Sequence, residues 1–506
     1  MATTTETPAA GAGRSSLDGR HYRMYVDGAF CEAGSGARDE VEDPSTGQVF
    51  ATCARAGAAD AERAIRAARH AFDEGPWGRA TGLERAALLR DVAARLRERA
   101  EEIGRLETLQ QGHLIAESVD EVPGCARTFE YFAGLACDRQ GQPLKFEGGL
   151  SSAVTREPAG VVAAIVPWNY PLDIAVTKLA PALAAGNAVI LQPASITPLT
   201  ALLLAEAFDA AGAPPGVIQV LTGPGGEVGA ALAASPLVDM VTLTGSVEVG
   251  SEVSRLASST VKKCVLELGG KSANVVFADC GFEAAIQGQM LAMFTTAGQV
   301  CTAGTRLIVE RSLHDEFVAA LAERARGLVI GDAIDPGTEM GPLVSAQQLA
   351  TVERYVAKGL EEGAKLVCGG RRIDRPGYFF EPTIFTGVTP DMTIAREEIF
   401  GPVLVVVPFD DEDEAVALAN DTDYGLSAGI WTSNLTRALR VSSRLRAGAI
   451  WVNTWFASLA SAAGGGRKLS GVGVEGGLPG FEEFTVVKHV AMNMSDEPNG
   501  FYPPKP

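Results

Sequence analysis

Basic charge is scarce in this chain of 506 residues: Lys and Arg number 43 against 62 Asp and Glu, a formal charge of −19. Such a surface disfavours nucleic acid and anionic membranes, so any phosphate group must be held by a local site. Long hydrophobic runs are missing too. No apolar stretch reaches the roughly 18–20 residues of a membrane span, and the longest, Gly160–Pro167 and Pro402–Phe409, suit buried strands. Residues 1–20 have no hydrophobic signal core and read as a disordered polar tail. The eight cysteines are scattered without a CxxC pair, which argues against a disulfide framework and a metal centre and points to a reducing cytoplasm. Histidine is rarer still, at five. Glycine is plentiful at 57, yet without a Gly-X-Y period, which excludes collagen. Apolar residues make up 46%, enough for sizeable cores in roughly two to four domains.

Periodicity and turn signals outline the elements. Tyr25–Phe30, centred on Asp27-Gly28, reads as a strand and tight turn. Ala61, Ala64, Ile65, Ala68 and Phe72 share one stripe of a helix over Ala59–Phe72, and Gly82–Leu106 reads as one longer helix. Cys137–Pro158, punctuated by Gly and Pro, suggests a hairpin leaving the main body. From Gly160 onward strand, loop and helix alternate. Strands fall at Val161–Val166, Ala188–Leu191, Val217–Leu221 and Val238–Thr242; helices fall at Lys178–Ala185, Thr197–Ala211 and Val228–Ala234. A second series runs from Ala273–Phe277 to about Asn453, and Phe484–Met492 reads as a final strand. This alternation predicts an α/β fold, mostly parallel sheet with helices on both faces.

Two glycine-rich turns follow consecutive strands. Gly223–Gly229, with Gly225 and Gly229, and Thr244-Gly245-Ser246 to Gly250 each open a helix. Backbone N–H groups in such turns can approach phosphate, aided by the helix N-terminus. Either turn alone reads equally as a plain tight turn; the pair points to a dinucleotide site. Phe294–Gly304 sets Cys301 in a loop of small residues where a thiol can react, whereas the other cysteines read as structural. Glu267, between two Leu and before Gly269-Gly270, is a carboxylate whose desolvation raises its pKa toward that of a base; a structural ion pair is the plain alternative. In Pro167-Trp168-Asn169-Tyr170-Pro171-Leu172 two prolines fix a loop after a buried strand. The Asn169 amide either stabilises an oxyanion, worth roughly 3–4 kcal/mol, or satisfies a turn.

In their order, PWNYPL, the TGS turn, LELGGKSA, GQVCTAG and Glu397-Glu398-Ile399-Phe400-Gly401-Pro402 closely resemble the NAD(P)-dependent aldehyde dehydrogenase superfamily, from about Tyr25 to Val490. The resemblance implies a Rossmann-type cofactor domain (residues 21–136 and 157–266), a catalytic domain (267–467) and a β-hairpin oligomerisation element (137–156 and 480–495) in a homodimer or homotetramer. It implies Cys301 as nucleophile, Asn169 and the Cys301 N–H as oxyanion hole, Glu267 as base and Lys178 near the catalytic centre. Glu398 would hold the nicotinamide ribose beside Phe400, Ser246 would meet the pyrophosphate, and Trp168 would lie on the cofactor side. The chemistry implied is thiohemiacetal formation, hydride loss to NAD and hydrolysis of a thioester by Glu267-activated water.

Several positions depart from the family pattern. Gln192 replaces a Lys that contacts the adenosine ribose, and Ser195 replaces a Glu that repels a 2′-phosphate. These changes oppose each other, and NAD is expected with NADP tolerated. Around the tunnel, Thr295 and Thr296 replace an aromatic and an Asn, and Ala463-Gly464-Gly465-Gly466 replaces Pro-Phe-Gly-Gly. Ser458 lies where an aromatic can stand, Asp173 and Thr177 where apolar side chains are usual, and Tyr170 and Trp455 remain. The expectation is a wide, polar tunnel for an aldehyde larger or more polar than acetaldehyde, with Asp173 facing a cation; simple loosening of a Gly-rich loop is the bland alternative. A CoA-acylating semialdehyde dehydrogenase, a cysteine hydrolase and a non-catalytic protein keeping the fold are the competing classes. Glu267 weighs against the first, the TGS turn and Glu398 against the second.

Overall fold

The computed structural model describes residues 19–138, 142–147, 150–457 and 459–494, the backbone alone over 142–147. The tail expected over residues 1–20 lies outside these up to residue 18; Arg20 itself opens the strand Arg20–Tyr22, paired with Gln48–Ala54. Ser458 also lies outside them. No helix among the described residues is long and apolar enough to cross a membrane.

Two large sheets form the body. The first has eight strands, in the order Gly471–Val472, Lys263–Glu267, Met240–Thr244, Val161–Ile165, Ala188–Gln192, Ile218–Val220, Met24–Val26 and Ala29–Cys31. Its five central strands are parallel. Alternation explains their burial on both faces. Val161, Ala163 and Ile165 pack into one core with Ala61, Ala64 and Ala68 of the helix Ala58–Asp73. Val162 and Ala164 pack into another with Leu179 and Leu202. The Asp27-Gly28 turn joins its edge hairpin, both residues at positive φ (54° and 76°).

The second sheet has seven strands, in the order Lys365–Cys368, Thr383–Thr386, Val403–Phe409, Arg306–Glu310, Ala273–Val276, Ser427–Trp431 and Ala449–Val452, parallel except for the first. A small sheet pairs Leu150–Pro158 with both Gln142–Glu147 and the late strand Thr485–Asn493, as the hairpin reading expected.

Two helix expectations need correction. The single helix over Gly82–Leu106 is two, Gly82–Glu98 and Ala100–Gln111, broken at Arg99 (φ −111°, ψ 17°), where Arg99 bonds Glu102 and Glu206 instead of continuing the turn. The helix expected from Lys178 begins seven residues earlier, as Pro171–Ala185, because Pro171 sits in its first turn, where a missing N–H costs nothing.

Candidate active site

Sequence order fixes where a site can form. In the first sheet the strands from 188 and 218 lie on one side of Val161–Ile165, and those from 240 and 263 on the other. Strand order therefore reverses between Val161–Ile165 and Met240–Thr244, and a crevice opens beyond their carboxyl ends. Val166–Asn169, the Ser246 turn and Glu267 all emerge along this edge. From Glu267 the chain crosses through Gly269-Gly270 into Ala273–Val276, so the second sheet offers the opposite, amino edge. Cys301 precedes the strand Arg306–Glu310 there, and Glu398 and Phe400 precede Val403–Phe409.

The nucleophile loop is conformationally forced. Thr296 and Ala297 both sit in the left-handed region (φ 52°), followed by Gly298 (φ 72°). Such backbone costs about 1–3 kcal/mol per residue and concentrates at functional sites. Gly270 faces the loop so closely that an added Cβ would lie 2.5 Å from the Cys301 carbonyl oxygen. Burial, with the charges of Glu398 and Glu267, pushes the Cys301 thiol up to about 12.

Asn169 is 2% exposed and donates one amide N–H to the Gln299 carbonyl (3.0 Å), which fixes the side chain and leaves its second N–H free to donate. Tyr170 is hydrogen-bonded to Thr296 (3.1 Å) and its ring packs on His113 (4.6 Å between centroids). His113 is buried, and desolvation pushes its pKa down to about 3, so it is neutral.

Glu267 is pushed up to about 8, first by burial and then by the charge of Glu475; Lys178 and the Gly466 N–H pull the other way. Lys178 is fully buried and donates to Glu475 (2.5 Å) and Thr242 (3.1 Å). The sequence motifs do not single out Glu475, although it lies in the Ser470–Gly476 stretch. The antiparallel pairing of Gly471–Val472 with Leu266–Glu267 brings that segment beside Glu267.

Glu398 accepts the Gly270 N–H (2.9 Å), and burial raises its carboxyl to about 7. The Trp168 ring meets Phe400 edge-on, centroids 5.2 Å apart. Ser246 is the exposed N-cap of Val247–Ser258, which packs beside the helix opened by the Gly225–Gly229 turn, Val228–Ala234. Gln192 is 2% exposed, donates to the Gly223 and Pro193 carbonyls, and keeps a buried Oε1 with no partner facing Gly229. Ser195 is half-buried near it in sequence.

The neighbourhood of Asp173 carries more acid than the motifs suggest. Asp173 and Glu121 are both raised, chiefly by burial, and Glu107 is raised to about 7. Glu117 is raised as well, by desolvation. Glu117, Glu121 and Cys301 all add to the burial that raises the Tyr170 hydroxyl. No local pattern marked the three glutamates; they sit among helical residues of Ala100–Gln111 and Ile115–Asp138. Thr177 is half-buried on the helix of Asp173, Thr295 half-buried before the loop, and Gly464 has open space where a side chain would stand. Trp455 is 3% exposed, its ring against Gly304 and Gly429.

A model of the aldehyde dehydrogenase family matches residues 30–490. A betaine aldehyde dehydrogenase of Bacillus subtilis (strain 168) is 44% identical over 475 residues, 93% of this chain and 97% of its own length. Among solved structures, an NAD-dependent aldehyde dehydrogenase from Sinorhizobium meliloti matches with a TM-score of 0.96 and 41% identity, covering 98% of this chain and 99% of that one. A betaine aldehyde dehydrogenase from Staphylococcus aureus in complex with NAD+ matches with a TM-score of 0.96 and 37% identity, at 98% and 99% coverage.

Proposed function

The chain belongs to the aldehyde dehydrogenase family, and on that footing we propose that it oxidises a cationic aldehyde to the acid with NAD+, through a covalent adduct on Cys301. The observation that carries this reading is the meeting of Cys301, Asn169 and Glu267 at the seam between the two sheets. The Cys301 sulfur bonds to the carbonyl carbon while its proton leaves toward Glu267. Oxygen takes up the electron pair, and the free N–H of Asn169 and the Cys301 N–H receive it. The residues present fit a nicotinamide dinucleotide: Glu398 is a buried carboxyl, Gln192 Oε1 a buried acceptor in want of a donor, and Ser246 caps an exposed helix end. Bound NAD+ supplies the hydride acceptor. Once Glu267 has released that first proton to solvent, water adds to the thioester carbonyl and its proton passes to the Glu267 carboxylate, with Glu475 and Lys178 behind it; the C–S bond breaks and the acid leaves the Cys301 thiolate.

Cys301→Ala is expected to abolish oxidation. Glu267→Gln is expected to give one burst of NADH without steady turnover; full steady turnover in that variant removes the deacylation role.

The substrate class rests on the acids Asp173, Glu121 and Glu117 that act on one another and on Tyr170, on the polar Thr295 and Thr296, and on the curated relative's action on betaine aldehyde. Burial holds these acids toward their neutral forms while no cation is present; a bound quaternary or protonated amine would draw them to the carboxylate form, and the aromatic face of Tyr170 adds to the contact. Asp173→Asn combined with Glu121→Gln is expected to raise KM for betaine aldehyde at least about tenfold, the weight of one lost charge contact, with KM for a neutral aldehyde of similar size unchanged. Equal effects on both would remove the charge reading.

NAD is favoured over NADP because Gln192 is uncharged and its N–H groups are already engaged by carbonyls. The ratio of kcat/KM for the two cofactors tests this. The strand Thr485–Asn493 has one partner among the described residues and exposes Val486, Val487, Val490 and Met492, which supports a homo-oligomer built on this edge. Eight free cysteines support a reducing, cytoplasmic compartment.

A further inference from the structure

A second polar site lies at the same amino edge of the second sheet, next to the Cys301 loop. Lys271 and Ser272 lead into Ala273–Val276, Arg306 opens Arg306–Glu310, and Ser427 opens Ser427–Trp431. Together with Thr422, Tyr424 and Arg446 they enclose a cavity of about 10 Å3. That size holds one water molecule or one ion of similar radius.

The charge on the wall is one-sided. Lys271, Arg306 and Arg446 line it, and no carboxylate does. Arg306 is 5% exposed and spends its guanidinium on neutral partners: the carbonyls of Lys271 (2.9 Å), Leu418 (2.9 Å), Ala419 (2.8 Å) and Asp421 (3.4 Å). Lys468 likewise takes the carbonyls of Asn420 (2.9 Å) and Thr422 (2.7 Å). The last turn of the helix Glu412–Asn420 is thus already engaged. Ser272 and Ser427 bond each other (2.8 Å). The Lys271 ammonium is left 1% exposed with no hydrogen-bond partner among the described residues.

Glu398 and Glu397 attract Lys271 from outside the cavity wall, but burial and Arg306 outweigh them and push the amine down to about 7. A buried cation without a partner is costly, and the same wall would stabilise a negative guest.

We propose that this cavity binds one small monovalent anion of the halide class, with Lys271 Nζ as its principal donor. In a chain of net charge −19 such a site needs local cations, and these are the cations that no acid in the wall neutralises.

The probe is bromide. Crystals of the full chain soaked in sodium bromide are expected to show an anomalous peak in contact with Lys271 Nζ, lost in Lys271→Met. Thermal unfolding of the wild type is expected to shift upward in chloride relative to gluconate at equal ionic strength. At chloride ten times its Kd the folded-to-unfolded ratio rises about elevenfold. No peak at Nζ in the wild type, together with equal stability in the two salts, would mean that the cavity holds water alone and overturns the proposal. A chloride effect that persists in Lys271→Met overturns it too. Should that variant not fold, the two wild-type measurements still decide.

Discussion

Glu267 cannot accept a proton while it holds one, and its carboxyl is raised to about 8 by burial and by Glu475. At pH 7 the protonated form prevails, so turnover is expected to rise with pH through about 8. Removing the neighbouring charge changes this in a definite direction. In Glu475→Gln the repulsion disappears, the Glu267 pKa falls, and the rising limb of kcat moves to lower pH. In Lys178→Met a stabilising cation disappears and the limb moves higher. A pH–rate profile of the three proteins checks the order, and coincident limbs would remove the coupling of Glu475 to Glu267. The same scale holds the clearest lesson about legibility. Glu267 stood out because it lies between two Leu before a Gly pair. Glu475 did not, because its meaning comes from Lys178, 297 positions away in sequence.

At the scale of elements, the crossing from the first sheet to the second is the constrained part. Gly269 and Gly270 connect Glu267 to the next sheet, and each leaves room for a different functional group. A Cβ on Gly269 would stand 2.1 Å from the Glu398 Oε2, and one on Gly270 2.5 Å from the Cys301 carbonyl. The two alanine variants should therefore fail differently. Gly269→Ala pushes aside a side-chain tip, so NAD+ affinity is expected to drop while iodoacetamide still alkylates Cys301 at its normal rate. Gly270→Ala presses on backbone of the nucleophile loop, and a displacement of that kind costs about 100-fold in kcat with NAD+ binding retained. Fluorescence titration with NADH, alongside the alkylation rate, separates them; identical behaviour would mean that the two glycines serve only the fold.

For the whole molecule, the buried acids set the pH dependence of stability. Glu107, Glu121, Asp173, Glu267 and Glu398 all have raised pKa values in the folded chain. Folding then favours their protonated forms. This contribution is complete below their unfolded values and is lost as pH rises through the folded ones, about 7 for Glu107 and Glu398 and about 8 for Glu267. His113, lowered to about 3, acts oppositely: its contribution is complete above the ordinary imidazole value and fades as pH falls. Lys271, lowered to about 7, has the sign of His113 but changes the balance only above that pH. With five acids against one imidazole, Tm without cofactor is expected to be lower at pH 8 than at pH 5.5, and a higher Tm at pH 8 would contradict these shifts. By itself the sequence determined the strand–helix alternation, both glycine turns, the nucleophile loop and the family resemblance, because each is written in neighbouring residues. Tertiary structure alone decided the break at Arg99, the Lys178–Glu475 pair, the acids gathered around Asp173 and the cation-lined cavity at Lys271. Those depend on which strand edges and helix ends face each other, and parallel strands joined by long crossovers bring together residues that share no local pattern.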